Sequence, residues 1–401
     1  TLVYHRGDLI RDLAHVGCEV VTSAAEDYPH VRQFVESFGA RHRAIRMVRS
    51  RVNLLSDIDT FIDMWRLFRS ERPDALFAYT IKSVVYGCVV AALAGVPRIY
   101  ALLPGLGFTF VKPETFKQKV VSAISVWLHR FALKRADVIF MQNEDDHRLL
   151  TELKILPPKV PAFVTAGSDV NVDEFPFVPL ENDPSIAEGK VRFTLVSRLL
   201  ISKGVVVFAE AARRIRQKYP QAEFHLIGPF DPNPNRVSEE QVQGWVEEGI
   251  LTHHGMIRDV ASALRDKHIF CLPTWYREGV PHATLEALSM GKPVITSDSV
   301  GARECVRLTA EGEAQRAANA PLREGSNGFL VEPRNVDAVV RAMEFYLQHP
   351  DQIAPHGRAS RDLAEEVFDV KIVNALILRE MGLTQKPSHA QPSTSHVAVP
   401  A

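Results

Sequence analysis

VRFTLVSRLLISKGVVVFAEAARRI, residues 191–215, changes its periodicity once, and that change decides the fold. VRFTLVS is a short β-branched and aromatic run, which predicts a strand. From Gly204 onward, GVVVFAEAARRIRQKYP spaces its apolar residues as a helix does and ends on basic ones. The turn between them holds Arg198 and Lys203. Two fixed cations beside a helix N-terminus suit a diphosphate. The guanidinium can grip two oxygens, the ammonium adds a point charge, and the helix dipole favours the anion. Each charge-assisted contact is worth about 1.5–3 kcal/mol. Two solvated surface cations are the alternative for this turn alone, and it is not the GxxxxGK[ST] phosphate loop.

The same strand-then-helix rhythm extends in both directions. Upstream, RGDLIRDLAHVG is helical and CEVVTSA strand-like. DIDTFIDMWRLFRSERP is helical before the strand DALFAYT, and SVVYGCVVAALAGV is helical before PRIYALL. Downstream come AEFHLIG, VQGWVEEG, HIFCLPT and PVITSD. Such alternation predicts an α/β protein with two parallel sheets, each covered by helices on both faces and each binding ligands beyond the carboxyl ends of its strands. Residues 163–190, rich in Pro, Asp and Asn, read as the connection between the two series. The expected domains are 1–165 and 166–365, followed by a C-terminal helix at 366–383 and a disordered tail at 384–401 with little to bury.

In the second series, REGVPHATLEALSMGKPVITSD, residues 277–298, sets Glu278 and Glu286 eight positions apart. Pro281 suits the first turn of a helix, and Gly291-Lys292-Pro293 its stop. Glu278 then sits on the entering loop and Glu286 inside the helix. A carboxylate facing the crevice can accept hydrogen bonds from both hydroxyls of a ribose, and one on the loop can accept from sugar hydroxyls. Amides around Gly279 and Val280 could hold the diphosphate, with glycine permitting close approach. A nucleotide sugar engages all of these parts.

Composition sets the outer limits. The chain has 401 residues, 46% of them apolar, enough for two domains with real cores. A formal net charge of -1 argues against a general nucleic-acid binder. Cys18, Cys88, Cys271 and Cys305 form no CxxC pair and fit a reducing cytoplasm. The apolar tract 83–96 is too short to span a bilayer. No signal peptide is visible, and the chain begins TLVYHRGDLIRDL, so that little precedes His5 to form an opening strand. No H-E-x-x-H or comparable spacing marks a metal site, no G-x-S-x-G marks a nucleophile, and Cys271 sits in an apolar strand.

REGVPHATLE and SRLLISKG, with GSDVNVDEF at 167–175, GARECV at 301–306 and SNGFLVEP at 326–333, resemble the family-4 glycosyltransferases over nearly the whole chain. The resemblance implies the GT-B architecture of two doubly wound Rossmann-like domains. It implies that Arg198 and Lys203 bind the donor diphosphate, Glu286 the ribose, Glu278 the transferred sugar, and the amides from Gly279 to Pro281 the phosphate or sugar. Gly7 corresponds to the glycine of the first N-domain loop, while Thr80 and Lys82, just beyond DALFAYT, face the cleft near the acceptor. Residues 79–110 and 228–249 look like bacterial members that add a sugar to an undecaprenyl-diphosphate-linked acceptor in polysaccharide or O-antigen assembly. Those members commonly use UDP-linked galactose or N-acetylhexosamines. Retention of configuration without metal or further cofactor follows, the leaving phosphate itself taking the acceptor proton. Glu278 as a nucleophile is the rival assignment.

A lipid-linked acceptor needs a membrane approach. Residues 112–137 carry Lys112, Lys117, Lys119, Arg130, Lys134 and Arg135, while Phe116, Val120, Ile124, Trp127 and Phe131 recur at helical spacing. This reads as a basic amphipathic helix for an anionic membrane surface, placing the chain on the inner face of the cell membrane. Packing of the stripe onto the N-domain sheet is the alternative. Residues 311–324, EGEAQRAANAPLRE, read as a surface insertion. A UDP-N-acetylglucosamine 2-epimerase-like enzyme and a non-enzymatic nucleotide-sugar-binding subunit are the rival functions on the same fold.

Overall fold

The computed structural model describes residues 2–25, 28–47, 54–107, 115–167, 169–181 and 183–383. The chain divides into two compact units, one of Thr1–Ile45 with the segment from Asn374 onward, the other of Arg46–Val373.

In the smaller unit, α1 (Leu2–His15) is followed by β1 (Val21–Ala24), α2 (Pro29–Glu36) and β2 (Arg41–Ala44). The two strands pair in parallel, Val21 opposite Arg41. Ile10, Val35 and Ala40 form the small core, and Asn374 of the C-terminal helix donates to Asp12 at 2.7 Å. Among the described residues no strand precedes α1, which agrees with the expectation of an opening strand shortened or absent; the expected loop is instead helical from Leu2. Gly7 therefore lies within α1 and not on a loop, where a Cβ would press on the Phe34 ring at 2.9 Å.

The larger unit holds two sheets. The first takes β3 (Ala75–Tyr79), β4 (Arg98–Leu103), β5 (Val138–Met141) and β6 (Ala162–Val164) in that order, all parallel. Its helices are α3 (Leu54–Glu71), α4 (Ile81–Ala94), α5 (Phe116–Leu133) and α6 (Glu144–Glu152). The apolar tract is α4, which buries Val84, Val85, Cys88, Val90 and Ala91 and stops at Gly95 in the left-handed conformation. Full burial of each aliphatic side chain contributes about 1.5–3 kcal/mol, so this helix is a core element.

After the short α7 (Pro184–Ala187), the second sheet begins with β7 (Arg192–Val196), α8 (Val205–Lys218), β8 (Glu223–Ile227), α9 (Glu239–Glu247) and β9 (Thr252–His253). It continues through α10 (Val260–Arg265), β10 (Ile269–Leu272), α11 (His282–Ser289), β11 (Val294–Ser297), α12 (Ala310–Ala317), β12 (Leu322–Gly325) and β13 (Gly328–Val331). Strand order is β12-β13-β11-β10-β7-β8-β9, parallel except that β12 runs antiparallel to β13. The segment expected as a surface insertion is therefore α12 and most of an edge strand. Three further helices follow, α13 (Val336–Gln348), α14 (Ile353–Leu363) and α15 (Val370–Glu380), with a π turn at Ala364–Phe368.

The change of sheet falls between Val164 and Arg192, across the expected connection. Both sheets nevertheless lie in one compact unit, so the division by compactness does not fall at 165/166. The tail 384–401 lies outside the described residues.

Candidate active site

Two neighbouring strands lead outward from the centre of the seven-stranded sheet. From β7 the chain winds to β8 and β9, and from β10 to β11 and β13, so the order reverses between β7 and β10. In open α/β sheets ligands bind beyond the carboxyl ends of the strands at such a reversal. Arg198 and Lys203 follow β7, while Glu278 follows β10 and enters α11.

The turn after β7 is a 3-10 segment, Ile201–Lys203, closed by Gly204 at φ 81. A Cβ there would approach the Pro273 carbonyl carbon to 2.6 Å, so glycine meets both the left-handed backbone and the close packing. Trp275 and Tyr276 donate from their amides to the Ser202 carbonyl at 2.9 and 3.1 Å. These bonds tie the cationic turn to the loop that bears Glu278. Lys203, itself buried, donates from Nζ to Glu278 Oε1 at 2.5 Å and lies 5.5 Å from the Tyr276 ring centroid. Arg198 donates from Nη1 to Asp231 Oδ2 at 2.8 Å. Its side chain is 52% exposed, against 11% for Asp231, so the guanidinium stays open to a ligand.

α11 begins one residue later than expected, with Pro281 as its N-cap. Pro281 has no N–H to offer a phosphate, and its carbonyl accepts from Thr284 and Leu285. The helix stops at Met290 before Gly291. Glu286 is buried and has His282 Nε2 3.5 Å from its Oε1. Burial pushes its carboxyl up to about 8.

Gly279 is packed by protein on its Cα side. A Cβ on it would strike Gln142 Oε1 and the Pro104 carbonyl, and one on Gly105 would come within 2.7 Å of the Glu278 carbonyl carbon. A Cβ on Gly301 would meet the Glu278 carbonyl oxygen at 2.6 Å. The 278–279 peptide is therefore packed between the ends of β4 and β5 on one side and Gly301 on the other. At Gly279 the close approach on the Cα side is made by protein, Pro104 and Gln142.

On the other sheet, Thr80 caps α4 at φ 84 with its hydroxyl 3.2 Å from Ser83 Oγ, and Lys82 donates to Asp57 at 3.0 Å. Asp57 on α3 thus holds the Lys82 ammonium, which is mostly buried. Gly7 belongs to the smaller unit.

Several partners were not legible in advance. Asp231 stands in the Pro- and Asn-rich turn GPFDPNPN, where its acidity was the available signal. Asp145 and Asp146 begin α6 in NEDD, a pattern that also suits simple helix capping. Arg277 reaches Asp146 at 2.5 Å, and Arg303 reaches Asp145 at 3.1 Å and Asp298 at 2.8 Å.

α5 has a complete capping box, Thr115 with Gln118. Its apolar stripe is not packed on the sheet. Phe116, Val120, Val121, Ile124, Trp127 and Phe131 are all exposed, Phe116 by 82% and Trp127 by 61%. Lys112, Glu114 and the side chain of Lys117 lie outside the described residues. Among the described residues, no helix is long and apolar enough to cross a membrane, and no group of three His, Cys, Asp or Glu side chains could hold a metal. Cys271 is fully buried, and burial pushes its thiol above the ordinary range.

Residues 3–165 match the family model described as glycosyl transferase 4-like domain, and residues 190–349 match that described as glycosyl transferases group 1. A similar relative is the Escherichia coli UDP-Gal:alpha-D-GlcNAc-diphosphoundecaprenol alpha-1,3-galactosyltransferase, 28% identical over 73% of this chain and 71% of its own. Another is the Campylobacter jejuni N,N'-diacetylbacillosaminyl-diphospho-undecaprenol alpha-1,3-N-acetylgalactosaminyltransferase, 26% identical over 88% and 93%. Anabaena HepE, solved in complex with UDP, superposes with a TM-score of 0.71 over 94% of this chain and 96% of its own, at 16% identity. Sucrose-phosphate synthase from Thermosynechococcus elongatus gives 0.71 over 95% and 92%, also at 16% identity. These likenesses identify the fold as GT-B. With the two family models in chain order across that fold, the chain belongs to the family-4, or group 1, glycosyltransferases.

Proposed function

We propose that this glycosyltransferase moves a hexose or N-acetylhexosamine from a UDP-sugar to an undecaprenyl-diphosphate-linked glycan in polysaccharide or O-antigen assembly. The observation that carries this reading is the convergence of Arg198, Lys203 and Glu278 at the reversal point between β7 and β10, with Glu286 on the helix that follows. The acceptor class comes from the names of the relatives from Escherichia coli and Campylobacter jejuni.

Arg198 and Lys203 bind the diphosphate and stabilise the charge that grows as UDP departs. Lys203 exchanges Glu278 for phosphate oxygen, and the released Glu278 carboxylate accepts from the sugar hydroxyls. Glu286 meets the ribose. The acceptor hydroxyl attacks on the face that the diphosphate leaves, and a phosphate oxygen takes its proton. Configuration is retained, with neither an enzymic nucleophile nor a metal needed. The sheet bearing Thr80 and Lys82 serves the acceptor. The exposed stripe of α5, with Lys119, Arg130, Lys134 and Arg135 along the same stretch, rests on the anionic inner face of the cell membrane.

Calorimetric titration of UDP, GDP and ADP tests the site. Selective UDP binding, weakened at least tenfold by Arg198→Ala, is the expected result, given about 1.5–3 kcal/mol for a charge-assisted contact. Folded protein that binds no nucleotide would overturn it. Transfer from UDP-galactose and UDP-N-acetylgalactosamine to a lipid-linked glycan, with the anomer assigned by NMR and with EDTA present, tests the chemistry.

A further inference from the structure

We infer that Asp145 and Asp146 are positioning residues, the first turn of α6 holding the sugar-binding loop at its working distance from the acceptor side through Arg303 and Arg277. This rests on the donor site proposed above and adds a part that no donor contact supplies.

Asn143 caps α6, its Oδ1 accepting from the Asp146 amide at 2.8 Å while its Nδ2 donates to Asp146 Oδ2 at 3.2 Å. The Asp146 carboxylate is held in one place and is 1% exposed. A carboxylate so buried needs a counter-charge. Arg277 supplies it at 2.5 Å and is the residue immediately before Glu278. One position back on α6, Asp145 takes Arg303 at 3.1 Å. Arg303 stands two residues after Gly301, whose Cα abuts the 278–279 peptide, and Asp298 holds its other edge at 2.8 Å. Arg277 on the loop bearing Glu278, and Arg303 on the segment that abuts that loop, are thus both fastened to one turn of the opposite sheet's helix layer.

The peptide between these fastenings has no slack. Gly105, at the end of β4, and Gln142, at the end of β5, contact it directly. In the proposed site the diphosphate is gripped by Arg198 and Lys203 on the turn after β7, which the amides of Trp275 and Tyr276 hold through the Ser202 carbonyl independently of these two ion pairs. Loosening the ion pairs therefore leaves UDP held but lets the transferred sugar drift from the acceptor hydroxyl. A misplacement of about 1 Å costs on the order of a hundredfold in rate.

The test is Asp145→Asn and Asp146→Asn, each with calorimetry of UDP, UDP-galactose and UDP-N-acetylgalactosamine and with initial rates of transfer to a lipid-linked glycan. The expected result is a transfer kcat at least tenfold lower with UDP affinity within about twofold, loss of any affinity that the UDP-sugar gains over UDP, and recovery of at least half the rate in Asp145→Glu. Asp146 is buried, so if its variant does not fold, the half-buried Asp145 carries the test alone. Unchanged kcat, or UDP affinity falling by the same factor as kcat, would overturn the inference. Wild-type protein that fails to bind UDP would instead remove the donor site itself.

Discussion

The crevice beside β7 and the outer face of α5 are built on opposite terms. In the crevice the cations are already partnered by protein carboxylates, Lys203 by Glu278 and Arg198 by Asp231. On α5, large apolar side chains stand in solvent with nothing described over them, and Trp127 stacks on Phe131 at 5.6 Å between centroids. Under the proposed function the first arrangement trades one set of oxygens for another, which suits a ligand carrying both phosphates and hydroxyls. The second is a surface whose favourable state lies in an apolar environment. Under the proposed function the difference separates donor recognition from acceptor access within a single compact unit.

Lys203→Ala strikes the crevice hardest. It removes a buried ammonium and leaves Glu278, 21% exposed, without its counter-charge. UDP affinity should fall by about ten- to a hundredfold, matching the 1.5–3 kcal/mol of a charge-assisted contact. Calorimetry checks this, and wild-type affinity in the variant would remove the diphosphate from this turn. Binding to vesicles should be untouched.

The converse experiment replaces Ile124 and Trp127 together by Ser. Burying one large apolar side chain is worth about 1.5–3 kcal/mol, so the partition of the protein onto vesicles of phosphatidylglycerol and phosphatidylethanolamine should fall at least tenfold. UDP affinity and melting temperature should hold, because both side chains are exposed. A drop of several degrees in melting temperature would mean that the stripe has a structural partner.

The two regions also differ in how far the sequence discloses them. Arg198, Lys203, Glu278 and Glu286 are local to strand-to-helix units, so their spacing along the chain carries over to space. The parallel sheets were legible for the same reason. What sequence spacing could not disclose depends on contacts between distant segments. Asp231 meets Arg198 across 33 positions, and Asp146 meets Arg277 across 131. At Gly279 the sequence shows the glycine but not Pro104 and Gln142, which pack against its Cα side. Gly7 read as a loop residue because a motif, not helix periodicity, guided its assignment, and α1 begins at Leu2. The exposure of the α5 stripe was open as well, since periodicity marks an apolar face without naming what covers it.

Glu286 gives the crevice a pH signature that α5 lacks. Its carboxyl lies at about 8 against an ordinary 4.5, because burial disfavours the charged form. Between those values the folded chain binds more protons at this group than the unfolded chain, so its contribution to stability falls as pH rises. It is fully present below about 4.5 and lost by about 8. Glu286→Gln should therefore melt less differently at pH 5 and pH 8 than the wild type does. An identical pH dependence in both proteins, by scanning calorimetry, would place the titration elsewhere.

The smallest effect sharpens the account of the pre-paired cations. If Asp231 competes with phosphate for Arg198, neutralising it should tighten UDP binding, whereas if Asp231 aims the guanidinium, binding should weaken. The pair is half open, with Arg198 at 52% exposure, and exposed pairs are worth about 0–1 kcal/mol. Asp231→Asn also keeps an oxygen for the Asn233 amide, which Asp231 Oδ1 accepts at 2.8 Å, so the turn retains its bond. Competition then predicts UDP binding tighter by up to about fivefold, with a stronger response to added salt because a charge pair forms and none has to break. Weaker UDP binding would assign Asp231 to aiming Arg198, and the crevice would then owe its preference for nucleotide sugars to the Lys203–Glu278 exchange alone.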